Sequence, residues 1–331
     1  MDIRDRNGLK TSADNALSQA SYSPKKLALI HAGAALALSL IITVLNFILN
    51  KQIDSTGGLS GIGLRSTLST AQSVLSILNA LILPFWEIGF VAAAIAFARH
   101  QTATPDTLLS GFRRFGPVLR LKLLQVALYA IVAFLCIQIS AGLFIMTPFS
   151  NPLMAELEQL YASESAVLDE AALQTMSELI IPVYGIFAVL FCLLGIPLSY
   201  RFRMADFIIM DTEKVGALRA MGRSNQMMRY NRLSLFKLDL SFWWYYLLRV
   251  IITALGFGDM ILTAMGFDVF QNDVAFFGFY ILYLLCQLGL AWWMQSKIQT
   301  TYAFAYESLR PEAEDPEPPV VRSFPWDYLP K

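Results

Sequence analysis

Six stretches of this chain carry so few polar residues that each can run as an apolar helix of about 20 residues, enough to cross roughly 30 Å of hydrocarbon. They lie near 27–49, 73–98, 123–147, 179–200, 240–262 and 274–295. The pattern predicts an all-α fold, a polytopic membrane helical bundle of six transmembrane helices. Two of the connecting segments are amphipathic. In TPDTLLSGFRRFGPVLRLK, Thr104 is placed to cap a helix with Pro105 at its first position; Leu108, Leu109, Phe112 and Phe115 recur at helical spacing, and Arg113 and Arg114 lie off that stripe. In DTEKVGALRAMGRSNQMMRYNR, Asp211 or Thr212 is the candidate cap, and Val215, Leu218 and Met221 oppose Lys214, Arg219, Arg223 and Arg229. Both are expected to lie at the inner membrane surface as interfacial amphipathic helices, with their basic residues toward anionic headgroups. A plain anchoring role and the binding of a soluble partner or nucleic acid both remain open for these basic faces. The order of span, basic helix and returning span occurs in 73–147 and again in 179–262, which suggests a duplicated hairpin with slight residue identity.

Composition agrees with the pattern. Of 331 residues 56% are hydrophobic and 15% charged, far below the quarter charged of a soluble domain, and mean hydropathy is +0.52. The net charge is zero, but its distribution is uneven. Lys and Arg number five in 1–26, five in 99–122, eight in 201–237 and four in 296–331, against two, none and none in the alternate loops. Basic flanks stay inside, so both termini are expected in the cytoplasm, with the chain multi-pass in the cell membrane. The first span is too long for a signal-peptide core and is expected to remain as an anchor. The acidic segment 148–178 then faces outward, with one or two short helices expected in it. Cys136, Cys192 and Cys286 lie inside apolar stretches and read as small core hydrophobes rather than a disulfide framework. Three regions follow: a disordered N-terminal segment 1–26, a membrane domain 27–310, and a Pro-rich acidic tail 311–331 whose Phe324, Trp326 and Tyr328 could dock on a partner or on the bundle.

Two charges stand inside the apolar stretches, Glu87 and Arg249. A lone charge in hydrocarbon costs several kcal/mol, so it persists with a partner or in a polar cavity. At a rise of 1.5 Å per residue, Glu87 lies roughly 18 Å from Arg99 and Arg249 roughly 15 Å from Asp239, similar depths. They are candidates for an ion pair docking spans two and five, or for a solute or proton site; a third possibility is that one of them reaches an interface. Pro84 frees a carbonyl near Glu87 and should kink the helix. Asn79, Gln125, Gln138 and Gln287 can each bond across helices, and Gly89, Ala92, Ala93 and Ala96 allow close packing. Catalytic patterns find no match: two histidines, His31 and His100, no HExxH, no GxSxG, and a GGLSGIG run without a phosphate-loop lysine. No metal, cofactor or enzymatic activity is expected.

The run Phe236, Leu238, Asp239, Leu240, Ser241, Phe242 and Trp244, preceded by a basic helix, resembles the signature of a family of bacterial integral membrane proteins, domain of unknown function 975. IPLSYRFRMADFIIMD, LLSGFRRFG and TTYAFAYESL are similar to its other blocks, so the resemblance covers roughly 80 to 310. The resemblance implies architecture and no chemistry, and Arg249 and the acidic loop depart from the pattern. In the signature itself, Lys237 and Asp239 would close the inner end of span five, with Asp239 capping or pairing with an arginine and Trp243, Trp244, Tyr245 and Tyr246 forming an aromatic belt. The expected function is a non-enzymatic membrane scaffold or accessory subunit. The alternative is a small-solute or proton-coupled transporter using Glu87 and Arg249. Expected partners are the bilayer with its anionic inner headgroups and a membrane-protein partner or a second copy; nucleic acid is not expected.

Overall fold

A computed structural model describes residues 3–55, 62–151, 170–212, 215–256 and 273–310. The described residues are helical with no strand. Five helices are long and apolar enough to cross a membrane, Pro24–Leu49, Ser66–Ala98, Phe115–Ile145, Pro182–Asp211 and Phe277–Leu309; a sixth follows if Arg232–Leu240 and Trp243–Gly256, bent by 67°, count as one span. The expected tail docking residues and most of the acidic loop lie outside the described residues.

Contacts divide the chain into two compact units, Met1–Arg120 with Met204–Lys331, and Leu121–Arg203. The first unit is organised on α3 (Ile62–Ala98). From Phe85 to Ala98 this helix is almost wholly buried except at Trp86 and Glu87. Its GFVAAAIAFA run has little side-chain bulk, so neighbouring backbones come close. A Cβ on Gly89 would stand 1.8 Å from the Leu108 carbonyl oxygen, and one on Gly111 2.0 Å from that of Phe85. Pro84 sits inside α3 without ending it. The helix closes on a Schellman turn: His100 N–H donates to Phe97 O at 3.0 Å and Gln101 N–H to Ala96 O at 2.8 Å, with His100 in the left-handed region at φ 55°.

Packed on α3 are α2 (Pro24–Ser55) and a 3₁₀ turn Pro105–Leu109 that leads into α4 (Ser110–Arg113). The expected Thr104 cap and Pro105 start are present, and Thr104 N–H donates to Thr107 Oγ1 at 3.2 Å. The segment winds as 3₁₀ and then one α-turn because the Gly89–Leu108 and Gly111–Phe85 approaches hold its backbone against α3. It is not a free interfacial helix.

Residues 6–18, expected within a disordered segment, form α1 (Arg6–Ser18). Asp5 accepts from Gly8 N–H at 2.9 Å, and Leu9, Ala13 and Ala16 are buried in one stripe. These residues gain order from a neighbour, α12 (Ser296–Leu309), on which α1 packs and to which Asp14 bonds through Lys297 at 2.7 Å. Polar composition alone hides such a helix.

Beyond the second unit's boundary, the basic linker folds as three short helices, α7 (Ala205–Asp211), α8 (Ala217–Met228) and α9 (Arg232–Leu240). The buried face of α8 is Ala217, Ala220, Met221, Ser224 and Met228, while Leu218 is 73% exposed. Of the expected stripe, Val215 and Met221 are buried and Leu218 is not, because small residues rather than Leu218 face α7. At Ser241 and Phe242 the chain bends into α10 (Trp243–Gly256), the described part of the apolar stretch expected over 240–262. The last apolar stretch extends past residue 295, through α11 (Asp273–Leu290) and a π-helical turn Ala291–Gln295, into α12.

The second unit holds α5 (Phe115–Ile145) from Leu121 onward and α6 (Glu170–Phe202), which contains Pro182 and Pro197. On α5, Cys136, Ser140 and Phe144 are buried at one-turn intervals, and Ser140 Oγ donates to Cys136 O at 2.7 Å. All three cysteines are free, and Cys192 is exposed rather than a core residue.

Candidate functional site

Among the described residues, a dense polar site forms where the sequence singles out none. Arg99, at the end of α3, reaches Asp211 of α7 at 2.6 Å and Glu307 of α12 at 2.6 Å. Asp211 also lies 3.4 Å from Arg310 and accepts from the Tyr306 hydroxyl at 2.8 Å. The Asp211 side chain is fully buried and Arg99 is 10% exposed. Among the described residues, two arginines and two acids balance in the cluster, as burial of charge requires. Burial alone would favour the neutral form of Arg99, but the Asp211 and Glu307 carboxylates outweigh it and raise its pKa above the ordinary value. Phe207 stacks on Tyr306 at 5.6 Å and closes the apolar side of the cluster.

Arg114 joins α4 to the same helix α7. Its guanidinium donates to the carbonyls of Ile209, Met210 and Thr212, the last two at 3.3 Å. These are the carbonyls a helix leaves without internal partners, and a cation there also suits the helix dipole. Arg113 binds Asp106 through both oxygens at 2.7 and 2.8 Å. Both arginines, expected to face headgroups, are engaged within the protein. Of the second basic face, Arg219 and Arg229 are exposed and Arg223 is half-buried.

Asp239 accepts from a tyrosine far along the chain. Tyr302 of α12 donates to Asp239, and Tyr246 of α10 lies 2.7 Å from the Tyr302 hydroxyl. Since Tyr302 has one proton and gives it to Asp239, Tyr246 donates to Tyr302. Next to this relay, Lys10 of α1 donates to Ser241 O at 3.1 Å and sits 4.2 Å over the Phe242 ring. The bend between α9 and α10 is therefore held from two sides. Partial burial, then Lys297 and Arg6, lower the pKa of Lys10, with Asp14 opposing.

Glu87 and Arg249 are both exposed on the surface of their helices. Tyr245, one turn before Arg249, hydrogen-bonds Arg249 and lies within electrostatic range of both Arg249 and Glu87. Tyr283 of α11 is within range of Arg249 and bonds Gln287. The fold thus gathers these groups in one locality, with two tyrosines that depth counting did not find. Tyr245 precedes Arg249 by an i, i+4 spacing, which is a usable sequence signal.

His31, which fits no catalytic pattern in the sequence, is a core residue. Its ring lies parallel to Trp86 at 5.7 Å and close to Phe90 at 4.5 Å, with Gln295 Nε2 3.0 Å from Nδ1. The π-helical turn, which adds a residue to one helical winding, carries Gln295 at its end. No group of three or more metal-ligating side chains occurs among the described residues.

Comparison with curated proteins and with solved structures gave no match. A family model described as a protein of unknown function, DUF975, matches residues 22–313. That match spans the described spans, the Arg99 cluster and the bend at Ser241, and the chain belongs to this family of unknown function.

Proposed function

We propose that this chain is a multi-pass protein of the bacterial cytoplasmic membrane, with both termini inside, acting as a non-enzymatic scaffold or accessory subunit. The observation that carries the reading is the neutral Arg99–Asp211–Glu307–Arg310 cluster. It ties α3, α7 and α12 with each carboxylate matched to a guanidinium, the arrangement of a fixed joint rather than of a site that exchanges a charged substrate. The Lys and Arg asymmetry supports the orientation. A membrane-protein partner or a second copy is then the natural load, and nucleic acid is not part of the reading.

A transporter is the second reading, favoured by one observation: Tyr245 stands within range of both Glu87 and Arg249 at membrane depth. Reconstitution into liposomes decides between them. The scaffold reading expects no proton or anion flux above that of empty vesicles. Robust flux that disappears in Glu87→Gln would displace it.

A further inference from the structure

We propose that α9 is an interfacial helix whose outer face lies in an anionic membrane surface, so that the bend at Ser241 is where the chain passes from lying on the bilayer to entering it. This inference rests on the membrane reading above. α9 has nine residues, too few to cross hydrocarbon. Its inner face is supplied by Leu235 and Leu238, both fully buried. The opposite face presents Leu233 at 66%, Phe236 at 45% and Leu240 at 57% exposure, spaced by three and four residues. A helix buried on one side and apolar on the other needs a second apolar phase.

Three observations make that phase a lipid surface. The 67° bend between α9 and α10 sets α9 within a few tens of degrees of the membrane plane when α10 runs across the bilayer. The outer face continues directly into Trp243 and Trp244, stacked at 3.9 Å, and indole rings favour the headgroup zone. The flanks are basic: residues 215–243 hold Arg219, Arg223, Arg229, Arg232 and Lys237 against the single acid Asp239. Asp239 is turned to Tyr302, leaving the outward field positive. Exposed Arg229 and Lys237 bracket the helix at its two ends. Apolar contact with a basic rim is the pattern of helices that bind acidic headgroups. A soluble protein partner would have to reach an apolar strip that the bend lays against the bilayer.

The test uses the full chain, with its native cysteines replaced, in liposomes of phosphatidylcholine alone or mixed with phosphatidylglycerol. Single cysteines at Leu233 and Leu240 carry an environment-sensitive dye, Ile131 within α5 serves as the span control, and exposed Thr11 on α1 as the water control. Brominated lipids should quench the dye at Leu233, Leu240 and Ile131 and not at Thr11. Removing Arg229 and Lys237 together, as Arg229→Gln and Lys237→Gln, should weaken the inserted state about fivefold per charge in the anionic vesicles, and high salt should do the same. Quenching at Ile131 with none at Leu233 and Leu240 overturns this inference and leaves the membrane reading standing. No quenching at Ile131 overturns both. Protection of Leu233 in native membranes but not in liposomes assigns the face to a protein partner and overturns the lipid assignment.

Discussion

Replacing Asp211 by Asn removes one charge from the centre of the buried cluster while keeping the side-chain shape and an acceptor for Tyr306. Asp211 is fully buried and faces Arg99 at 2.6 Å and Arg310 at 3.4 Å, so no water screens the loss. Breaking a buried pair by removing one partner costs about 3–5 kcal/mol, mostly because the surviving charge stays buried. Glu307 also contacts Arg99, which places Asp211→Asn toward the lower end of that range. Glu307→Gln should cost less, about 1–2 kcal/mol, because that side chain is 26% exposed and water screens it. Replacing Arg99 and Asp211 together by Met and Leu should restore part of the loss, since neither charge then remains unmatched. Denaturant unfolding of the purified protein in detergent, followed by tryptophan fluorescence, gives all four stabilities. If Asp211→Asn costs under about 1 kcal/mol, or less than Glu307→Gln, the cluster is not a buried joint and the argument for a scaffold loses its carrying observation.

Further outcomes follow from single contacts. Gly89→Ala and Gly111→Ala should each destabilise by about 1–3 kcal/mol or more in the same unfolding assay, because the added carbon meets backbone oxygen rather than a movable side chain. Substitution of His100 by Gly should stabilise by about 1 kcal/mol, since φ 55° costs glycine nothing; a loss of stability would mean the imidazole itself is needed. Lys10→Met should raise hydrogen exchange at the Ser241–Phe242 bend, detected by mass spectrometry, and unchanged exchange there would show that α1 does not hold it. The lowered pKa of Lys10 means the unfolded chain holds that proton more tightly. Its contribution to stability should therefore rise as pH climbs from the folded value toward the ordinary 10.5, and Lys10→Met should flatten that part of the profile.

The spans were legible because crossing hydrocarbon depends on length and apolarity, which are local properties of the chain. The Thr104 cap and Pro105 start were legible for the same reason, as both act within one turn. The charged joint was not. Arg99 and Glu307 are 208 residues apart, and nothing in either neighbourhood distinguishes a paired charge from a flanking one. Arg114 illustrates the limit, since its residue type and helical phase favour a headgroup contact and only the arrival of α7 offers it three carbonyls. Helix α1 carried a faint signal in Asp5, Leu9, Ala13 and Ala16, but its burial exists only because α12 passes beside it.

What the sequence determined by itself is the all-α class, the spans, and the presence of Glu87 and Arg249 within them. These follow from the cost of exposing peptide groups and charges to hydrocarbon, a cost each segment bears alone. Tertiary structure decided which basic residues are matched, that Leu218 of α8 faces outward, and that Asp239 binds Tyr302. It also decided that the chain bends by 67° between α9 and α10. Those outcomes depend on distances between residues far apart in the chain, and a hydrogen bond or ion pair acts only over a few ångströms.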